Sequence, residues 1–187
     1  AACIEMQKRM SELREIWRNL QKPELKMRIG LCSGPAVVGN MGSKSRMDYT
    51  MIGDTVNTAA RLEGVNKAYG IYTLIGDSTF QAAGDRIFSR EIDSISVVGK
   101  KEPITIYELI DFRENVGDDI LHAADWYTKG LNSYRSLDWE KAIDFFNKTI
   151  EIIPDDGPSK IMIERCLHFS EKPPGEDWNG TFAMRTK

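Results

Sequence analysis

Residues 49–63 decide the fold class, and they read YTMIGDTVNTAARLE. The apolar residues at 49–52 predict a short strand, and the residues that follow predict a helix. Asp54 or Thr55 is expected to cap this helix, which should run to about Ala68 before a glycine stops it.

The predicted helix carries a cation and an amide on one face. Asn57 and Arg61 are four residues apart, so their side chains leave the helix on the same side. A guanidinium suits phosphate oxygens, and an amide can both donate to and accept from a sugar hydroxyl. Gly53 allows a tight bend into the helix, whose beginning favours anions. Small Ala59 and Ala60 are expected to let the helix lie close to its sheet.

Spacing alone leaves an ordinary alternative open. Polar residues are common on the exposed face of a helix, so Arg61 can equally be a surface charge and Asn57 a neutral surface residue. The pattern therefore indicates an anion site without excluding a solvated face.

Strands and helices alternate on both sides of this segment. Met6, Met10, Leu13, Trp17 and Leu20 form a stripe at helical spacing, which predicts a first helix that faces the core. Residues 42–46 are polar and are expected to form a mobile arm. The alternation predicts a sandwich of helices on a mixed sheet. The other predicted elements are strands at 27–32, 36–40, 71–75, 87–94 and 104–110, and a short helix that ends at Gly84.

The last third of the chain changes to a helical pattern. Helices are predicted at 120–134, 139–153 and 159–169, with an irregular end from 171 to 187. The spacing of a tetratricopeptide repeat fits one stretch of about 34 residues. A single repeat cannot bury its own apolar face, so it should pack on the front half or on a partner. The residues that fit the repeat are Trp126, Gly130, Ala142, Phe146 and Pro154.

Composition excludes several classes of protein. The net charge is −3, and residues 111–187 hold 15 acidic and 10 basic side chains, so the front part is weakly basic. That suits a small polyanion but is too weak for a general nucleic-acid surface. The three cysteines are widely spaced, which supports neither a disulfide framework nor a zinc site and favours a reducing compartment. No apolar run approaches the roughly 20 residues of a membrane-spanning helix.

Three segments together resemble the catalytic domain of class III adenylate and guanylate cyclases, of the bacterial type. They are residues 28–34, RIGLCSG, residues 37–42, VVGNMG, and residues 49–63, and the resemblance covers about residues 6–110. It implies the α+β class, with a partial ferredoxin-like cyclase sandwich over residues 1–112. Residues 113–187 would then be a small all-α appendage with one tetratricopeptide-like repeat.

The resemblance also implies roles for the residues of the predicted helix. Two such catalytic domains dimerise head to tail, and each active site lies at their interface. Asn57 would orient the ribose of ATP. Arg61 would stabilise the charge that develops on the α-phosphate as the 3′-hydroxyl attacks and pyrophosphate leaves. Gly53, Asp54 and Val56 would line the substrate site. The product would be cyclic AMP, made for signal transduction inside the cell.

Two further positions bear on substrate binding. Thr50 matches the family's purine-contacting position, where its hydroxyl favours ATP over GTP, although a β-branched strand residue also packs well there. Many family members have a lysine at the Val98 position that contacts the triphosphate. Lys100 and Lys101 are the candidates to replace it, and the alternative is a solvated turn between two strands.

The resemblance is incomplete at the metal site. The family's two metal-binding aspartates, and the lysine that reads the purine, lie in its N-terminal half, which would precede this chain. The chemistry uses two Mg²⁺ or Mn²⁺ ions, so residues 1–187 alone are expected to be inactive. The first helix also lacks a cap residue, which suggests that the chain is a piece of a longer protein. That protein is expected to be cytoplasmic, with any attachment to a membrane made through segments outside these residues.

Two rival functions remain at this point. The first is a silent cyclase-like module that binds nucleotide or a partner for regulation. The second is an interaction protein whose working part is the tetratricopeptide-like tail. The presence of both Asn57 and Arg61 argues against the first, and a lone repeat is weak support for the second.

Overall fold

A computed structural model describes residues 1–96, 102–175 and 177–184. It contains six α-helices and seven β-strands within these ranges. The helices are α1 (Ala2–Asn19), α2 (Asp54–Tyr69), α3 (Asp77–Ala83), α4 (Asp118–Arg135), α5 (Trp139–Ile152) and α6 (Gly157–Glu171). The strands are β1 (Ile29–Leu31), β2 (Val37–Ser43), β3 (Arg46–Ile52), β4 (Thr73–Gly76), β5 (Ile87–Ser96), β6 (Ile104–Phe112) and β7 (Phe182–Ala183).

Five strands form a mixed sheet in the order β1-β4-β6-β5-β7. β1 runs parallel to β4 and β5 runs parallel to β7, whereas β4–β6 and β5–β6 are antiparallel. Among the described strands, β2 and β3 pair only with each other, as an antiparallel hairpin. The predicted α+β class with a mixed sheet and a helical C-terminal part is therefore confirmed. No helix in the described part of the chain combines the length and apolarity needed to cross a membrane.

Helix α2 lies unusually close to β1. A Cβ atom added to Gly30 would sit 2.2 Å from the Ala59 carbonyl oxygen, so only glycine fits at this point of the strand. Asn66 is fully buried and its amide donates to the Ile29 carbonyl over 2.9 Å. The contact between Gly30 and Ala59 explains why α2 lies close to the sheet, which was predicted from Ala59 and Ala60. Ala60 itself is exposed and takes no part in the contact.

The predicted caps of α2 are correct at one end only. Gly53 occupies the N-cap position, and no side chain caps the helix, so the prediction that Asp54 or Thr55 caps it is wrong. Asp54 is instead the first helical residue, where a negative charge is favourable to the helix dipole. At the other end Gly70 adopts the left-handed conformation (φ 69°) and stops the helix as predicted.

Two predictions about the N-terminal part need correction. The stripe on α1 does not enter the core, because none of its five residues is buried and Met6 and Leu20 are 46% and 57% exposed. The only buried residue of α1 is Ile4, which lies outside the stripe. The expected polar arm at 42–46 is the tip of the hairpin. β2 continues to Ser43 and β3 restarts at Arg46, so the ladder extends almost to the turn.

The helical tail (residues 113–187) packs on the front half (residues 1–112) through a shared core. One cluster of buried side chains includes Leu62, Tyr69 and Ile92 from the front and Tyr127 and Phe146 from the tail. Within the tail, a Cβ on Gly130 would meet the Phe146 ring at 2.6 Å, so α4 and α5 approach closely there. The tail thus buries its apolar face on the front half, as expected for a lone helical pair. A domain boundary at residue 112 stays a prediction.

Consecutive residues of β5 bind the tail by polar contacts. Arg90 pairs with Glu108 of β6 at 2.8 Å and with Asp156, the N-cap residue of α6. Glu91 accepts from Arg135 of α4 at 2.5 Å. The register of β5 against β6 shifts between Glu91 and Asp93, and there the Tyr127 hydroxyl donates to the Ile92 carbonyl over 2.9 Å.

Because the Arg90 ion pairs are buried, removing one partner from them is costly in free energy. Only 5% of the Arg90 side chain and 3% of the Asp156 side chain are exposed. Burial opposes the charge of Arg90, yet Glu108 and Asp156 together raise its pKa above the ordinary value. The guanidinium therefore remains charged, and both carboxylates depend on it.

Replacing Arg90 with methionine should destabilise the fold by about 3–5 kcal/mol, because it leaves Asp156 buried without its cation. Denaturant unfolding followed by circular dichroism measures the change. Arg9→Ala is the matched control, since Arg9 pairs with Glu12 on an exposed face of α1 and such pairs contribute little. Equal, small losses in both variants would contradict a role for Arg90 in joining the two halves.

Candidate functional site

The candidate site lies where the β2–β3 hairpin enters α2. Thr50 is exposed on β3, in register with Gly39 of β2. A Cβ on Gly53 would lie 3.0 Å from the Pro35 carbonyl oxygen, so the chain turns into α2 in tight contact with the segment before β2. Glycine at this junction lets the helix begin directly after the strand. Thr50 lies on β3, four residues before Asp54, the first residue of α2.

Asn57 and Arg61 lie one turn apart on α2, away from the face that packs on the sheet. Asn57 is exposed and Arg61 is partly buried, whereas Thr58 and Leu62 are buried. In the described ranges, neither the amide of Asn57 nor the guanidinium of Arg61 has a hydrogen-bond or ion-pair partner. Both groups are therefore able to bind a ligand without first breaking a protein contact.

The residues around this face keep the guanidinium available. Glu63, the acidic residue nearest to Arg61 along the chain, is held by Arg28 over 3.0 Å. Asp54 is exposed at the first position of α2, and Val56 is half-buried beside it. The structure thus brings Thr50, Gly53, Asp54 and Val56 into the same short strand–helix segment as the two polar residues. The predicted phosphate contacts Lys100 and Lys101, and Val98 beside them, lie outside the described residues.

The described residues do not form a metal centre. Across residues 1–96, 102–175 and 177–184, no group of three or more His, Cys, Asp or Glu side chains is arranged to hold a metal ion. Near the site, Asp48 lies 3.6 Å from Arg46 and Glu63 binds Arg28. A pair of divalent cations needs several converging oxygen ligands, which these carboxylates do not offer.

Exposed apolar side chains surround the strand side of the site. Val37 and Tyr49 are 67% and 76% exposed, and Val38, Met51 and Ile52 are also exposed. Neighbouring residues in a strand point to opposite faces, so the hairpin is apolar and uncovered on both. Soluble monomers rarely present such a patch, and its presence indicates a surface that another protein covers.

Sequence reasoning missed a polar cluster at the far end of α2. The Tyr69 hydroxyl donates to the Asp93 carboxylate over 2.6 Å, and Arg165 of α6 contacts both. These residues are separated by 24 to 96 positions, so no local spacing connects them. The only signal in the sequence is a charged residue, Asp93, that follows Ile92 inside a predicted strand.

Curated relatives of this chain are named as adenylate cyclases. It is 36% identical over 143 residues to the terminal-differentiation specific adenylate cyclase of Dictyostelium discoideum. It is 35% identical over 107 residues to adenylate cyclase 1 of Rhizobium meliloti, and 42% identical over 90 residues to an adenylate cyclase of Anabaena cylindrica. These alignments cover 74%, 57% and 46% of this chain, but only 7%, 16% and 18% of the relatives.

Two solved structures resemble the front half. The adenylyl cyclase CyaB of P. aeruginosa is 36% identical, with a TM-score of 0.52, over 61% of this chain and 58% of that one. The guanylyl cyclase Cya2 is 30% identical, with a TM-score of 0.50, over 63% of this chain and 58% of that one. Residues 1–110 also match the family model described as the adenylate and guanylate cyclase catalytic domain. This chain belongs to the adenylate and guanylate cyclase catalytic domain family.

Proposed function

We propose that this chain is part of an adenylate cyclase, a lyase that converts ATP to cyclic AMP and pyrophosphate. The observation that carries the proposal is the pair Asn57 and Arg61, which lie one helical turn apart beside an exposed apolar hairpin and whose side chains have no partner among the described residues. The curated relatives with the names quoted above support the adenylate reaction, and one of the two similar structures is a guanylyl cyclase. The choice of base therefore needs its own argument.

Arg61 would act on the phosphate and Asn57 on the sugar. As the 3′-hydroxyl attacks the α-phosphate, negative charge grows on the non-bridging oxygens, and a guanidinium placed there stabilises the transition state. The Asn57 amide can hold the ribose by donating and accepting hydrogen bonds. Because Arg61 has no internal ion pair among the described residues, its charge is available for this purpose.

A second catalytic domain would complete the site. The exposed apolar residues of β2 and β3 offer a surface for it, and they lie directly before the helix that carries Asn57 and Arg61. In a head-to-tail pair, these two side chains would face a nucleotide held partly by the other subunit. Mg²⁺ or Mn²⁺ ligands would then come from residues outside this chain.

Thr50 would favour adenine. Its side chain is exposed at the hairpin end nearest to α2, and its hydroxyl can accept a hydrogen bond from the adenine amino group. Because the residue is exposed, packing against the protein's own core does not explain the threonine. Contacts from Lys100 and Lys101 to the triphosphate stay a prediction.

Replacing Arg61 with alanine should lower kcat by about 10²-fold or more and change the KM for ATP much less, since the guanidinium acts on charge that appears in the transition state. The measurement is steady-state cyclic AMP formation by the protein as expressed from its gene. Lys67→Ala is the matched control, because Lys67 is an exposed cation on the same helix. Near-native turnover in the Arg61 variant would remove this residue from catalysis and favour a nucleotide-binding regulatory module.

Replacing Thr50 with valine keeps the β-branched shape and removes only the hydroxyl. If the hydroxyl accepts from adenine, the ratio of kcat/KM for ATP to that for GTP should fall by up to about tenfold, the value of one hydrogen bond. An unchanged ratio would show that base selection lies elsewhere.

Residues 1–187 by themselves should form no cyclic AMP from ATP with either Mg²⁺ or Mn²⁺, because the described residues offer no group able to bind a catalytic metal pair. The catalytic domain of a solved relative in the same assay is the positive control, and circular dichroism establishes that the chain is folded. Metal-dependent product from the purified chain would overturn the expectation.

A further inference from the structure

We propose that helix α6 of the tail is a positioning element for the proposed cyclase reaction, and that Arg165 fixes the axial position of α2. This proposal rests on the proposed function, because it concerns how Arg61 is held in place. It goes beyond the cyclase half, since the positioning residue lies outside the residues that match the family model.

Arg165 joins three parts of the molecule at one point. Its guanidinium donates to the Asp93 carboxylate over 2.5 Å and to the Tyr69 hydroxyl over 2.9 Å. Tyr69 is the last residue of α2 and itself donates to Asp93 over 2.6 Å. The three side chains form a closed triangle of hydrogen bonds between α2, β5 and α6.

The triangle is almost completely shielded from water. The side chains of Asp93 and Arg165 are 1% and 10% exposed, and Tyr69 is fully buried. The Arg165 guanidinium also lies 3.5 Å from the centre of the Phe182 ring. Burial opposes the charge of Arg165, but the oxygens of Tyr69 and Asp93 raise its pKa above the ordinary value, so it stays a cation. Hydrogen bonds between buried charged groups keep narrow geometry, which makes the cluster a rigid joint.

A second contact holds the same end of α2 against α6. A Cβ on Gly157, the first residue of α6, would lie 2.2 Å from the Tyr69 carbonyl oxygen. Asp156 immediately before it caps α6 by accepting from the Ser159 amide over 2.9 Å and also binds Arg90. The start of α6 is thus fixed to the sheet while its backbone touches the end of α2.

A helix transmits such a constraint along its axis. Arg61 precedes Tyr69 by eight residues, which is about 12 Å at the α-helical rise. Because the backbone of α2 is continuous between them, movement at Tyr69 shifts Arg61 by a similar distance. A misplacement of about 1 Å in a catalytic group can cost on the order of 10²-fold in rate. Fixing the far end of α2 is therefore a direct way to set the position of the guanidinium.

One relative retains sequence similarity beyond the cyclase half. The alignment with the Dictyostelium protein covers 74% of this chain, which is more than residues 1–110 contain, so it includes part of the helical tail. Part of the tail therefore accompanies the cyclase half in that protein as well.

The test compares two tail arginines in the protein as expressed from its gene. Arg165→Met removes the joint to α2, whereas Arg135→Met removes a pair between α4 and β5 that does not touch α2. Arg165→Met should lower kcat roughly tenfold with little change in KM. Arg135→Met should leave both values within about twofold, because energetic coupling to Arg61 is expected only for residues that share a network with α2, and the Arg135–Glu91 pair does not. Equal effects of the two variants would overturn the proposal.

A double-mutant cycle separates positioning from general destabilisation. If Arg165 acts through Arg61, then Arg165→Met should change kcat less than about twofold once Arg61 is already alanine. Full additivity of the two losses would contradict the proposal. Tyr69→Phe, which keeps the ring and removes the hydroxyl of the triangle, should reproduce the loss of kcat, and native turnover in that variant would also count against it.

Hydrogen exchange gives a readout that does not depend on activity. Arg165→Met should speed amide exchange in the last turns of α2, and Arg135→Met should not. Unchanged exchange in α2 would overturn the positioning role. If exchange responds while Arg61→Ala leaves turnover unaffected, the joint is real and the proposed function of Arg61 fails instead.

Discussion

The structure depends on the cost of removing charge from water along β5. Arg90 and Asp93 lie in the interior of the molecule, where an unpaired ion would be very unfavourable. Each therefore needs a partner of opposite charge in a fixed place, and each finds it on α6, through Asp156 and Arg165. The charged residues of β5 thus determine where the tail docks on the sheet. Apolar packing alone would not fix the position of the tail so closely.

A steric constraint complements this electrostatic one at β1, the edge strand of the sheet. Gly30 allows α2 to lie against β1 at a distance that any other residue would prevent. Asn66 then satisfies the Ile29 carbonyl from within the same contact. Together these contacts leave α2 no freedom on its buried face. The exposed face of α2, which carries Asn57 and Arg61, therefore belongs to a helix that is fixed at its buried face and at its C-terminal end.

Local sequence patterns predicted the elements well and their environments less well. The segment at residues 49–63 predicted both the strand and the helix, because periodicity and glycine positions report local conformation. The environments of the α1 stripe and of the apolar hairpin residues could not be predicted, because periodicity shows that a face is apolar but not what covers it. In this chain Met6 and Tyr49 remain uncovered. The Tyr69–Asp93–Arg165 cluster had no sequence signature because its members meet only after the chain has folded over 96 positions.

The two ends of α2 have opposite surroundings, and this asymmetry bears on how a cyclase of this kind would be controlled. At the C-terminal end, the helix is tied to the tail by buried hydrogen bonds. At the N-terminal end, the neighbouring hairpin is apolar and open, so it needs a second protein surface. The guanidinium of Arg61 lies between these ends, so in the proposed reaction its position relative to a nucleotide would depend on both. A signal that alters either the tail or the pairing of two catalytic domains would therefore act on the same side chain.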